Sequence, residues 1–185
     1  MTIIFGFSGR ARCGKTYSCE AIKRHVINGG GTAKIYDVGN MVRLYCIDNG
    51  LLPQVERENM TKEQLAILVD IGARQRAVDP EFWCRQMFAA IEAENVDVAL
   101  IPNLRMQNEV DGVRARGGYV IRVKRLNADG SEYISPDRDP NHFLETSLEF
   151  WPADFYITAK SGQAQLIEAF AVAMFDHVLG KLMVI

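Results

Sequence analysis

Hydrophobic and polar positions change period several times along the chain, and each change marks an element. Ile3-Ile4-Phe5-Gly6-Phe7 is a compact β-branched and aromatic run that predicts a strand. A helical pattern follows from Lys15 to about Val26, closed by the flexible turn Asn28-Gly29-Gly30-Gly31. Ala33 to Asp37 predicts a second strand. Val96 to Ile101 predicts a third, apolar enough for a strand buried on both faces of a parallel sheet. Tyr119 to Val123, after Gly117-Gly118, and Phe155 to Thr158 bring the number of expected strands to about five. Between them lie helix starts with local chemistry of their own. Thr61-Lys62-Glu63-Gln64 is a capping box with Met60 and Leu65 as its staple, and Asp79-Pro80-Glu81 offers an N-cap, a proline and an early acid. A further helix starts at Asn103 or Arg105 and ends near Arg116. In the last segment, Ala164 to Ile185, Ile167, Phe170, Ala171, Met174, Val178 and Leu182 recur at helical spacing beside Glu168, Asp176, His177 and Lys181. That segment is an amphipathic core helix rather than a membrane span.

Strands alternating with helices predict a three-layer α/β sandwich of mainly parallel strands. The length of 185 residues fits one domain, 1–185. Two segments interrupt the alternation. Residues 39–94 carry helical signals and no convincing strand, and residues 124–141 are polar and turn-rich, with Asp129-Gly130, Ser135-Pro136 and Asp139-Pro140. Long irregular segments in a compact domain are commonly functional. The first is read as a helical acceptor-binding insertion and the second as a lid.

The chemistry is most legible between the first strand and the first helix. Gly9-Arg10-Ala11-Arg12-Cys13-Gly14-Lys15-Thr16 fits G-x-x-x-x-G-K-[ST], the phosphate-cradling P-loop, in strand–loop–helix context. Backbone N–H groups of Gly9, Arg12, Cys13 and Gly14 would face phosphate oxygens at the helix N-terminus. Lys15 would reach the β- and γ-phosphates, and the Thr16 hydroxyl would ligate Mg²⁺. The ligand class is the polyphosphate of ATP or GTP, and the fold expected is that of a P-loop NTPase.

Cations past strand ends are the next candidates, because strand C-terminal ends line the ligand crevice of an open α/β sheet. Arg43 follows the second strand, Arg105 the third, and Arg122, Lys124 and Arg125 close the fourth, with Arg138 in the polar segment. For each the alternative is a solvated surface charge. Asp37 either orients an acceptor or metal-bound water, or caps the helix after it. Glu109 stands four residues after Arg105, as an acceptor device or an ordinary helix salt bridge. Phe82 and Trp83 offer a base-stacking face or core packing.

Bulk properties narrow the partners. Net charge is −2, with 48% hydrophobic and 24% charged residues, so no global basic excess points to nucleic acid. Cys13, Cys19, Cys46 and Cys84 form no C-x-x-C pair and no zinc-spaced cluster, and read as reduced cytosolic thiols. The N-terminus lacks the basic region of a signal peptide. The expectation is a cytoplasmic protein acting on small nucleotides, without nucleic-acid or membrane partners and with room for a homodimer.

Several stretches together resemble the phage-type deoxynucleoside monophosphate kinases, within the nucleoside monophosphate kinase group of P-loop enzymes. They are Gly9–Thr16; Asp70-Ile71-Gly72 through Asp79-Pro80-Glu81-Phe82-Trp83; Ile101-Pro102-Asn103-Leu104-Arg105-Met106-Gln107-Asn108-Glu109 with Gly117-Gly118; and His142-Phe143-Leu144-Glu145-Thr146-Ser147-Leu148 leading to Asp154. The resemblance implies transfer of the ATP γ-phosphoryl group to a deoxynucleoside monophosphate, with Mg²⁺ bridging the phosphates. It would place Arg105 and Glu109 at the acceptor, where the reading of the residues above also sets Asp37, Arg43 and Trp83. Arg125 and Arg138 would act from the closing lid, beside Lys15, on the transferring group. Asn103 stands where the family pattern has an aspartate, and Leu144 where it has a serine. Related readings stay open: a small-molecule kinase such as a dephospho-coenzyme A kinase, or a non-catalytic nucleotide-binding regulator.

Overall fold

A computed structural model describes residues 2–137 and 139–182. In chain order its elements are β1 (Ile3–Ser8), α1 (Lys15–Asn28), β2 (Ala33–Ile35), α2 (Val38–Asp48), a 3-10 turn (Arg57–Asn59), α3 (Lys62–Val78) and α4 (Phe82–Glu94). There follow β3 (Val98–Ile101), α5 (Gln107–Ala115), β4 (Tyr119–Leu126), α6 (Phe143–Thr146), β5 (Phe155–Lys160) and α7 (Ala164–Leu182). They form two compact units: Met1–Ile35 with Asn95–Ile185, and Tyr36–Glu94.

The first unit is built on a parallel sheet in the order β2-β3-β1-β4-β5. Its register pairs Phe5 with Leu100 and Tyr119, and Ile121 with Phe155. All four residues of β3 are buried, as two-sided burial of a parallel strand requires. Alternation along β1 sends Phe5 and Phe7 to one face, where they join Ile22 and Val26 of α1 and Ile167, Ala171, Phe175 and Val178 of α7. On the other face a Cβ at Gly6 would stand 2.5 Å from Leu104 Cδ1 and 3.3 Å from Val113 Cγ2, so its absence lets α5 and the turn before it close on the sheet. The result is an α/β, three-layer sandwich on a parallel five-stranded sheet, with the Gly9–Thr16 loop at the carboxyl end of the central strand.

Several boundaries shift from the sequence expectation for local reasons. β2 stops at Ile35 because Asp37 turns its carboxylate onto the Gly39 N–H at 2.8 Å and caps α2. β3 starts at Val98 rather than Val96, since the Thr32 N–H and hydroxyl are each held by the Asp97 carboxylate at 2.7 Å. β4 runs on to Leu126, pairing Lys124, Arg125 and Leu126 with Thr158, Ala159 and Lys160. The first residues of the expected lid are therefore strand. The chain then turns, and Glu132 bridges back to Leu126. On α7, Phe170 is 46% exposed, and Phe175 takes the core place expected for it.

In the second unit α2 packs against α3 and α4. The Thr61 capping box forms as expected, with the hydroxyl accepting from Gln64 N and the Gln64 side chain accepting from Thr61 N. Asp79 accepts from the Glu81 N–H at 3.1 Å ahead of α4 and pairs with Arg85. The interior is aromatic: Tyr45 meets Phe82 and Trp83 edge-on at 5.9 and 5.6 Å. Trp83 is 2% exposed and donates its indole N–H to the Gly72 carbonyl at 3.1 Å.

Candidate functional site

The loop Gly9–Thr16 leaves β1 in a conformation that only glycine adopts readily. Gly9 has φ +135°, and a Cβ there would lie 2.2 Å from the Val123 carbonyl oxygen. Arg12 also sits at positive φ, +59°. Inside the loop Lys15 is 5% exposed, with Nζ donating to the carbonyls of Gly9 at 2.9 Å and Arg10 at 2.7 Å. Burial lowers the Lys15 pKa, and the neighbouring positive charge of Arg105 adds to that. The Cys13 sulfur is 3.7 Å from the ammonium, and burial pushes its thiol pKa up. Cys13 thus packs as a buried side chain within the loop. Thr16 is exposed in the first turn of α1.

The stretches 132–137 and 139–149 return across this loop. Arg10 donates to the Pro140 carbonyl at 2.9 Å and pairs with Glu149 at 3.3 Å and Glu132 at 3.8 Å. The Ala11 N–H donates to Glu145 Oε2 at 2.7 Å, and Arg12 pairs with Asp137. Arg105, on the turn after β3, reaches Glu145 Oε1 at 3.2 Å and the Leu144 carbonyl, while the Ser147 hydroxyl donates to the Arg105 carbonyl. Arg122 anchors the far end of the segment by donating to the carbonyls of Leu148, Glu149 and Trp151. A small cavity of about 30 Å³ lies beside the loop, lined by Gly9, Arg10, Arg122, Leu144, Glu145 and Glu149 among others.

These contacts sort the expected site residues. Lys15, Arg105 and Arg125 are gathered around the loop in one unit. Arg125 lies 4.0 Å over the Tyr133 ring, donates to Ser161 Oγ at 2.9 Å and reaches the Arg12 carbonyl at 3.5 Å. Glu109 is 3% exposed and turns its carboxylate onto the N–H groups of Arg105 and Met106, at 2.6 and 3.1 Å. It thus shapes the turn that carries Arg105, whose guanidinium pairs with Glu145. Asp37, Arg43 and Trp83 belong to the second unit. There Asp37 acts as the helix cap. Arg43, 6% exposed, donates to Asn40 Oδ1 and the Val55 carbonyl and pairs with Glu56. Trp83 is core, so its expected stacking face is turned into its own unit. Arg138 lies outside the described residues.

Glu145, Arg10, Arg122 and Tyr133 carry contacts that the sequence reading assigned to none of them. The available signal was the run of acids at 132, 137, 145 and 149 set against Arg10 and Arg12. Arg122, within β4, offered only an even choice between site and surface. It is instead a 6% exposed structural cation whose pKa is lowered by burial.

No protein-family model matches the chain, and no curated protein sequence matches it. Solved structures do. A proposed kinase of Chloroflexus aurantiacus superposes with a TM-score of 0.52 at 12% identity, over 97% of both chains. The APS kinase CysC of Mycobacterium tuberculosis, in complex with AMPPNP and APS, gives 0.44 at 14% identity over 95% of this chain and 96% of that one. A cysteine-to-alanine mutant of the same enzyme gives 0.46 at 14% identity over 95% of both. At 12% identity the first of these likenesses speaks for the fold alone. Among the described residues, no helix is long and apolar enough to cross a membrane.

Proposed function

We propose that the chain is an ATP-dependent kinase that transfers the γ-phosphoryl group to the phosphate of a deoxynucleoside monophosphate, giving ADP and the diphosphate. The observation that carries this reading is the P-loop at the carboxyl end of β1, with Lys15 buried within it and Arg105 and Arg125 on the neighbouring strand ends of the same unit. Phosphoryl transfer asks a protein mainly to position two ligands and to place cations where charge spreads over the transferring group. An acceptor phosphate oxygen forms the new bond to the γ-phosphorus as the bond to the β,γ-bridging oxygen breaks, and the leaving electron pair stays on ADP. Loop N–H groups and Lys15 would hold the donor's phosphates, Arg105 would bridge the donor's terminal phosphate and the incoming one, and Arg125 would cover the donor side. The choice of a deoxynucleotide rests on the family resemblance of the turn after β3 and of the segment 142–148.

Magnesium fits the donor set in a limited way. Thr16 exposes a hydroxyl at the start of α1, and Asn103 on the turn after β3 brings a neutral oxygen. Among the described residues no group of three or more His, Cys, Asp or Glu side chains could hold a metal, so the ion would arrive with the polyphosphate. When bound it would neutralise charge on the β- and γ-phosphates.

The test is ADP release from MgATP against a panel of monophosphates carrying each base, in deoxy and ribo forms. Turnover with deoxynucleoside monophosphates is expected. Turnover confined to another acceptor, such as dephospho-coenzyme A, would move the activity within small-molecule kinases. Tight ATP binding with no acceptor-dependent ADP release would make the chain a nucleotide-binding regulator.

A further inference from the structure

The stretches 132–137 and 139–149 bring four carboxylates, those of Glu132, Asp137, Glu145 and Glu149, onto three consecutive residues of the phosphate loop. Glu149 and Glu132 meet the Arg10 side chain, and Asp137 meets Arg12. Glu145 differs, because its target is a backbone N–H of the loop itself. Its side chain is only 6% exposed, and its two oxygens divide between the Ala11 N–H at 2.7 Å and the Arg105 guanidinium at 3.2 Å. One oxygen on a loop amide and the other on an arginine is how an anion is held at a P-loop. No third acidic side chain joins Glu145 to make a metal site among the described residues. The placement is also not an accident of a free tail. Arg122 fixes the carbonyls of Leu148, Glu149 and Trp151, and the Ser147 hydroxyl is bonded to the Arg105 carbonyl.

We infer that the Ala11 N–H and the Arg105 guanidinium form a subsite for a terminal phosphoryl group, and that the Glu145 carboxylate is an internal anion competing for it. The inference rests on the nucleotide reading proposed above. A nucleoside triphosphate needs the loop amides and a nearby arginine for its last phosphate, and two like charges cannot share those donors. Binding of the third phosphate therefore expels Glu145 and frees Arg105 from it. A nucleoside diphosphate, lacking that phosphate, leaves the Glu145 contacts in place. The carboxylate thus weakens triphosphate binding selectively by reducing the fraction of molecules ready to accept it.

The experiment is calorimetric titration of MgATP and MgADP into the full chain and into Glu145→Gln, which keeps the shape of the side chain and removes its charge. Glu145→Asp, one methylene shorter, is titrated as well, so that the test survives poor folding of the glutamine variant; thermal melts confirm the fold of each. The expected result is ATP bound roughly tenfold more tightly by either variant, the factor that corresponds to one charge-assisted hydrogen bond given up, with ADP changed by less than about threefold. ATP binding that appears only in the variants supports the inference equally. Unchanged or weaker ATP binding overturns it, as does an equal change for both nucleotides, which would mark Glu145 as a purely structural latch. ATP bound by none of the proteins overturns the nucleotide reading and the inference together.

Discussion

Gly9→Ala isolates what the phosphate loop demands of the backbone. The alanine would have to hold φ +135°, a region essentially reserved for glycine, at a cost of about 1–3 kcal/mol. Its Cβ would also stand 2.2 Å from the Val123 carbonyl oxygen and 3.0 Å from the Cys13 sulfur. The first of these contacts cannot be relieved by a rotamer change, because Val123 lies in β4 between two parallel neighbours, paired there with Ile157. Relief of such overpacking costs about 1–3 kcal/mol more. Taking about 4 kcal/mol in all, a chain of this size should melt about 8–16 °C lower. Gly130→Ala is the control: φ is +88°, yet nothing lies within 4 Å of the new Cβ, so conformational strain of about 1 kcal/mol stands alone and the shift is about 2–4 °C. Both variants are followed by circular dichroism on heating, with ATP titrated into the folded forms. Gly9→Ala should also lose ATP affinity, because the loop must move to fit the methyl group. A Gly9→Ala melt within about 2 °C of the Gly130→Ala melt would show that the loop is not pressed against β4 as described.

Lys15→Ala should remove roughly 10²–10³ of the turnover while the chain still melts cooperatively, since one preorganised cation is lost and a buried charge with it; near-normal kcat would contradict its role. Arg122→Met strips a donor from the carbonyls of Leu148, Glu149 and Trp151 and should destabilise by about 3 kcal/mol, with proteolysis newly cutting near residues 140–151. A urea unfolding loss below about 1 kcal/mol with unchanged cleavage would refute that anchoring. Burial, with the Glu94 carboxylate beside the hydroxyl, raises the Tyr36 pKa from 10.0 to about 12. A raised folded value means its contribution to stability is complete below pH 10 and is lost as pH climbs towards 12. Absorbance titration should show a late component that Tyr36→Phe removes, and the same substitution should flatten the loss of stability over that interval. A parent titration with no late component would oppose the assignment.

Much of the framework was legible locally. Glycines, a lysine and a threonine at fixed spacing between a β-branched run and a helical one mark a phosphate loop wherever they fold, because its donors are the loop's own backbone N–H groups. The Thr61 capping box and the Asp79 cap needed only residues within one turn. β3 was readable because two-sided burial leaves an unbroken apolar run. Phe170 and Phe175 show where this stops. Both lie on one amphipathic helix, and only the direction in which α7 faces α1 and the sheet decides which of them is covered.

The candidate site divides along the same line. The loop, its lysine and threonine, and the arginines just after strands are readable in the residues alone. What those groups meet depends on how distant parts of the chain pack. Glu109 stands at helical spacing from Arg105, but only the turn before α5 brings its carboxylate onto the backbone N–H groups of Arg105 and Met106. Arg105 and the Ala11 N–H share a carboxylate 40 and 134 residues away in sequence. No periodicity records a meeting over that separation. It depends on β4 running three residues past its expected end, on Arg122 pinning the returning chain, and on the desolvation that makes each such pairing worth keeping.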